Sequence, residues 1–216
     1  MSKKYEILLF DLDGTITDSA LGITNSVMYA LKKFGIEETD RTKLYKFIGP
    51  PLTESFEKFY GFTKEQSLDG VKYYREYYHD KGIYENRVYD GLEEVLKKIN
   101  EAGKQAIVAT SKPEALSIEI MDKFDLSKYF IKICGATLDR SRITKSDVIA
   151  YLLENYKSDG EMVMVGDTAF DVTGAAAHGI PTIGVSWGYG SKEEMLQAGA
   201  VAIAHSVQEL LTFLTQ

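Results

Sequence analysis

One cysteine and four prolines are all that 216 residues contain of those two types, and the chain lacks both a long apolar run and a basic block. A lone Cys134 cannot close an internal disulfide, so it reads as a small buried thiol at the end of a strand. Without a stretch of about 18 apolar residues, the pattern holds no membrane-spanning helix. The formal charge is -7, from 25 Lys plus Arg against 32 Asp plus Glu. With no Arg-rich arm, that balance argues against a nucleic-acid groove, though not against a small anion. The opening residues Met1, Ser2, Lys3 and Lys4 lead directly into a short strand-like run and then acidic residues, which makes a poor signal peptide. A cytoplasmic protein fits these absences. The 3 histidines do not cluster, so neither a Cys/His metal site nor a Ser-His-Asp arrangement is visible.

What is present is enough to bury a core: hydrophobic residues make up 44% and aromatics 12%. Compact apolar runs at residues 5–10, 105–109, 131–134, 162–165 and 182–185 read as buried strands. Between them lie helical faces such as Leu92, Val95, Leu96 and Ile99, or Val148, Ile149, Leu152 and Leu153. Strands alternating with helices require crossover connections, hence a doubly wound, mostly parallel, Rossmann-like α/β sheet. Residues 206–214 read as a closing helix.

Residues 19–87 break the rhythm, with helical periodicity and no convincing strand. That is too long for an ordinary crossover. The expectation is an inserted α-helical cap at residues 18–89, with residues 1–17 and 90–216 forming the core. Tyr73, Tyr74, Tyr77 and Tyr78 make two i, i+4 pairs there and read as packing within a small bundle.

Four segments carry chemistry. Phe10-Asp11-Leu12-Asp13-Gly14-Thr15 follows the first strand, where open α/β sheets bind ligands. Two carboxylates this close repel unless a cation lies between them. Gly166-Asp167-Thr168-Ala169-Phe170-Asp171 follows another strand, so Asp167 can share the sheet edge with Asp11 in a hard-oxygen site suited to Mg2+, and Asp171 can brace a nearby cation. Thr110-Ser111-Lys112 ends a third strand before a helix, offering hydroxyl and N–H groups to a phosphate oxygen. Lys145 precedes a helix and can neutralise phosphate and carboxylates together.

In combination, Asp11-x-Asp13-Gly14-Thr15, Thr110, Lys145 and Gly166-Asp167-x-x-x-Asp171 resemble the haloacid dehalogenase-like hydrolases, over nearly the whole chain. Within that superfamily, residues 10–19, Ile48-Gly49-Pro50-Pro51-Leu52 and Ser186-Trp187-Gly188-Tyr189-Gly190 are similar to bacterial phosphoglycolate phosphatases. One departure stands out: many of those enzymes have Lys-Pro-x-Pro around the third motif, where this chain has Thr144-Lys145-Ser146-Asp147.

The resemblance implies a Mg2+-dependent hydrolase of small phosphorylated metabolites, monomeric or homodimeric. Asp11 would be the nucleophile and Asp13 the general acid and base. Thr110, Ser111 and Lys145 would bind phosphate, Asp167 would join Asp11 and the Asp13 carbonyl around the metal, and Asp171 would support Lys145. The cap would close over the site and select the leaving group. Nucleoside monophosphates are the alternative substrate, with Arg140 and Arg142 reaching a larger anion. A phosphosugar mutase and a catalytically silent binding module are the further alternatives.

Overall fold

A computed structural model describes residues 5–215; residues 1–4, read from the sequence as a charged lead-in rather than a signal peptide, lie outside the described residues. Two compact units emerge. One runs up to Thr17 and resumes at Val88; the other is Asp18–Arg87.

The first unit is built on β1 (Ile7–Phe10), β4 (Gln105–Pro113), β5 (Lys132–Ala136), β6 (Met162–Gly166), β7 (Thr182–Val185) and β8 (Ala202–Ala204). These form one six-stranded sheet in the order β5-β4-β1-β6-β7-β8, with parallel pairing throughout. The chain winds outward from β1 to β4 and β5, then returns to β6 on the other side of β1. That reversal opens a crevice at the carboxyl ends of the central strands.

Strand period dictates two cores. Ile7 and Leu9 point to one face, where Ile107, Ala109, Cys134 and Met164 join Val148, Ile149 and Leu152 of α6 (Lys145–Asn155) and Ala175 of α7 (Ala169–Ala176). Leu8 and Phe10 alternate with them and are equally buried, as a sheet covered on both faces requires. Each such side chain contributes about 1.5–3 kcal/mol by leaving water. Helices α4 (Leu92–Glu101) and α9 (Val207–Thr215) pack on each other. The short helix α5 (Glu114–Lys123) follows β4, and α8 (Lys192–Gln197) lies between β7 and β8.

The second unit holds α1 (Ala20–Lys33), a 3-10 turn at Arg41–Phe47, α2 (Leu52–Tyr60) and α3 (Lys64–Asp80). Thr63 and Gln66 cap α3 reciprocally, each side chain accepting from the other's backbone N–H. Aromatic rings join Val27, Leu31, Leu44 and Ile83 in its interior: Phe56 stacks on Phe62 at 5.6 Å and meets Phe47 edge-on at 5.1 Å. The paired tyrosines pack in the same way, Tyr74 on Tyr78 at 5.4 Å, with Tyr73 against Phe34 and Tyr77 against Tyr29. Two short strands, β2 (Thr17–Asp18) and β3 (Arg87–Val88), pair where the chain passes between units, and Asp18 and Arg87 form an ion pair of 2.9 Å. Among the described residues, no helix is long and apolar enough to cross a membrane.

Candidate active site

Asp11 follows β1 directly, and its N–H donates to the Val165 carbonyl of β6 at 2.9 Å. Asp167 follows β6, so neighbouring strands bring the two carboxylates to one edge. Asp11, Asp167 and Asp171 each place an oxygen within 4.8 Å of the others, all three buried.

Lys145 enters this cluster from the start of α6. Thr144 caps that helix by accepting from the Asp147 N–H, and the Asp147 carboxylate accepts from the Thr144 N–H at 2.9 Å. This capping box fixes the first helical residue, Lys145. The Lys145 Nζ lies 2.7 Å from Asp11 Oδ1 and 2.8 Å from Asp171 Oδ1, and donates to the Ala109 carbonyl at 2.8 Å. The ammonium therefore sits in two ion pairs and one hydrogen bond. The other oxygen of Asp171 accepts from the N–H and hydroxyl of Thr168, so that carboxylate is tied on both sides.

Asp167 is held differently. Its Oδ2 accepts from the Tyr189 N–H at 2.8 Å, and its Oδ1 from the Thr15 hydroxyl at 3.3 Å. Gly14 adopts φ +85, and a Cβ there or at Gly188 would stand 2.2 Å from the Asp167 carboxylate. The Trp187 indole N–H donates to the Thr15 carbonyl at 3.2 Å, which ties the loop after β7 to the turn after β1.

The remaining motif residues divide. Thr110 is buried within β4, in the stretch between Ala109 and Pro113 where the pairing with β5 shifts register, and its hydroxyl accepts from the Lys112 N–H at 3.2 Å. Ser111 is half-buried between them. Asp13 turns its carboxylate away from the acidic cluster to Lys112, whose Nζ lies 2.8 and 3.0 Å from the two oxygens. Sequence reasoning gave Lys112 no role of its own, because a single lysine at a strand end reads as a solvated one. It also missed the Tyr189 N–H, a backbone donor whose only trace in the sequence is its glycine flanks.

Arg142 corrects an expectation. Instead of reaching toward substrate, its guanidinium donates to the Glu114 carboxylate at 2.8 Å and the Gly135 carbonyl at 2.6 Å, and lies 3.8 Å from the Tyr151 ring centroid. An opposite charge at the start of α5 and an aromatic face on α6 claim it first. Arg140 is exposed, with φ 65.

Three buried carboxylates share one ammonium, which leaves two negative charges unbalanced. Burial accordingly pushes the Asp11 carboxyl up, against the opposing pull of Lys145, and the Asp171 charge pushes it further. Asp167 is raised well above the usual carboxylate range by burial and by the charges of Asp171 and Asp11. Burial alone would depress Lys145, but Asp11 and Asp171 outweigh it and hold the ammonium charged. A divalent cation with a taste for oxygen ligands cancels the excess, so the donor set fits Mg2+.

Comparison with known proteins agrees with this geometry. A family model described as haloacid dehalogenase-like hydrolase matches residues 8–185. The chain is 42% identical over 193 residues to a 5'-nucleotidase of Pseudomonas aeruginosa, covering 89% of this chain and 87% of that protein. It is 36% identical over 202 residues to the tyrosine-protein kinase PtkA of Mycobacterium tuberculosis, covering 93% and 69%. A phosphoglycolate phosphatase of Agrobacterium fabrum is 28% identical over 192 residues, covering 85% and 81%. The crystal structure of a protein described as a predicted phosphatase from Clostridium acetobutylicum superposes with a TM-score of 0.92 at 48% identity, covering 96% of this chain and 97% of that one.

Proposed function

The chain belongs to the haloacid dehalogenase-like hydrolases, among that family's phosphatases, and on that premise we propose that it hydrolyses small phosphate monoesters through an aspartyl-phosphate on Asp11. The observation that carries this reading is Asp11 itself: a buried carboxylate at the sheet edge, 2.7 Å from Lys145 and clustered with Asp167.

In this reading an Asp11 oxygen attacks phosphorus and the ester oxygen leaves. Asp13 gives that oxygen a proton, then takes one from the water that cleaves the acyl phosphate. Lys145 and Thr110 hold phosphoryl oxygens, where charge spreads in the transition state. Asp171, tied to Thr168, keeps the Lys145 ammonium in place. Mg2+ would be held by Asp11, Asp167 and the Asp13 carbonyl, and when bound it neutralises the repulsion between nucleophile and phosphate.

For substrate we favour 2-phosphoglycolate, supported by the likeness of residues 48–52 and 186–190 to phosphoglycolate phosphatases. Nucleoside 5'-monophosphates are a second reading, favoured by the 42% identity to a protein named 5'-nucleotidase. Arg142 no longer supports it, since Glu114 and Tyr151 hold that side chain.

The test is phosphate release from phenyl phosphate by the purified chain. Turnover should need Mg2+, stop on exhaustive chelation and fail to return with Ca2+, whose larger and looser shell misplaces the nucleophile. Mg2+ should also raise the melting temperature, because it binds only the folded cluster. Full activity after chelation would overturn the site assignment. In parallel assays, label passing from ATP to a tyrosine peptide, or an isomerised sugar phosphate formed from a sugar phosphate, without phosphate release from phenyl phosphate, would redirect the reading to a kinase or a mutase.

A further inference from the structure

The Asp167 carboxylate lies between two turns, residues 14–15 following β1 and residues 187–190 following β7. Each turn holds one oxygen: the Thr15 hydroxyl donates to Oδ1 at 3.3 Å, and the Tyr189 N–H donates to Oδ2 at 2.8 Å. Both turns come close enough to shut side chains out. A Cβ at Gly14 or Gly188 would overlap the Asp167 carboxylate, and one at Gly190 would overlap the Asp167 carbonyl oxygen. A carboxylate has about four lone-pair directions, so two donors leave both oxygens able to ligate a cation.

Trp187 ties one turn to the other, its indole N–H donating to the Thr15 carbonyl at 3.2 Å. Its ring stands at 6.3 Å from the Tyr89 ring, at 63° to it, and the Tyr89 N–H donates to the Ile16 carbonyl at 3.2 Å. The indole is thus seated against the turn after β1 by its N–H and by its edge. Asp11 and Asp171 repel the Asp167 carboxylate, and a frame fixed on both sides resists that push.

We propose that Trp187 is a positioning residue for the metal site: its N–H holds the two turns together around Asp167, so that the carboxylate is oriented before Mg2+ arrives. The inference rests on the reading of Asp167 as a Mg2+ ligand and adds to it a residue that acts through Thr15 and Asp167. Orientation in advance removes an ordering cost from binding, so the effect falls on metal affinity.

Calorimetric titration of Mg2+ into the metal-free full chain reads that affinity without turnover. Trp187→Phe should raise the Kd for Mg2+ at least about fivefold, short of the largest losses seen for direct partners of a ligand, because Trp187 acts one bond further out. Trp187 is the single tryptophan of the chain. Placing 3-benzothienylalanine at position 187 keeps both rings and deletes the N–H, so the fold is retained and the same rise in Kd should follow. With phenyl phosphate, the Mg2+ concentration for half-maximal rate should rise in parallel, while kcat at saturating Mg2+ stays within about twofold of wild type. A purely structural role would instead lower kcat at every Mg2+ concentration. An unchanged Kd in the benzothienyl variant, or a loss of kcat that saturating Mg2+ does not restore, would overturn the proposal. If metal-free wild type takes up no Mg2+, the metal reading of the site has failed and this inference falls with it. Equal affinity in wild type and both variants removes Trp187 alone.

Discussion

The unit built on the sheet buries aliphatic side chains around Ile7, Leu9, Ile107 and Met164, and at the sheet edge it also buries Asp11, Lys145, Asp167 and Asp171. In the Asp18–Arg87 unit, buried rings, Phe47, Phe56, Tyr74 and Tyr78, join aliphatic side chains such as Val27, Leu31, Leu44 and Ile83. The buried polar residues described there are Ser19, Thr24, Ser26, Ser55 and Ser67, with no carboxylate or ammonium. Burying charge costs stability unless it is paired, so the first unit carries that cost where the chemistry is, and a large aliphatic core offsets it. A small helical unit has less interior to fill, and a few wide rings bury the most area per residue. One region gathers buried charge at the proposed site, the other packs for its own cohesion.

Breaking the charged region should change turnover far more than folding. Asp11→Asn keeps the shape and removes the nucleophilic oxygen, so kcat should fall by at least about a thousandfold. The melting temperature should be retained, because one of three mutually repelling carboxylates is gone while Asp171 still pairs with Lys145. Near-normal turnover by this variant would remove Asp11 from the mechanism.

The aromatic region should respond in the opposite sense. Phe56 is fully buried between Phe47 and Phe62, and Phe56→Ala should cost about 3–5 kcal/mol. Hydrogen exchange should locate that loss in α1, α2 and α3, with β1 and β6 still protected. Uniform loss of protection across both units would show that the aromatic centre is not a separate source of cohesion.

The smallest effect sharpens the comparison by isolating a surface charge that serves structure. Asp147 is held below the usual carboxylate range by the Thr144 and Ile143 N–H groups. A depressed folded pKa means stability that is present above the ordinary aspartate value, about 3.9, and lost as pH falls through the lower folded value. Asp147→Ala should therefore cost at most about 1 kcal/mol at neutral pH, with solvent screening reducing it. The difference from wild type should close in acid. Thermal melts of both proteins from neutral to acid pH check the sign, and a gap that widens in acid would contradict it.

Much of this arrangement was visible in the residues. Apolar runs ending in acidic turns marked the strands beside the site, because a buried parallel strand reads as a continuous apolar stretch. The strand at Ala202–Ala204 escaped notice, being short and alanine-rich, as did the 3-10 turn at Arg41–Phe47. At the site, carboxylates after strands announce themselves, but partnerships do not. Lys112 and Arg142 look alike in a sequence, yet one reaches Asp13 and the other is consumed by Glu114. The Tyr189 N–H that holds Asp167 is a backbone group, and any residue type but proline could supply it.

The proposed mechanism depends most on a covalent bond forming between phosphorus and Asp11. Rapid acid quench during turnover with Mg2+ and phenyl phosphate, followed by borohydride reduction, converts an aspartyl phosphate to homoserine, which peptide mass spectrometry then locates. Homoserine should form at position 11 and not at 13, 167 or 171. Homoserine at any of those three positions, or at no aspartate, would contradict it.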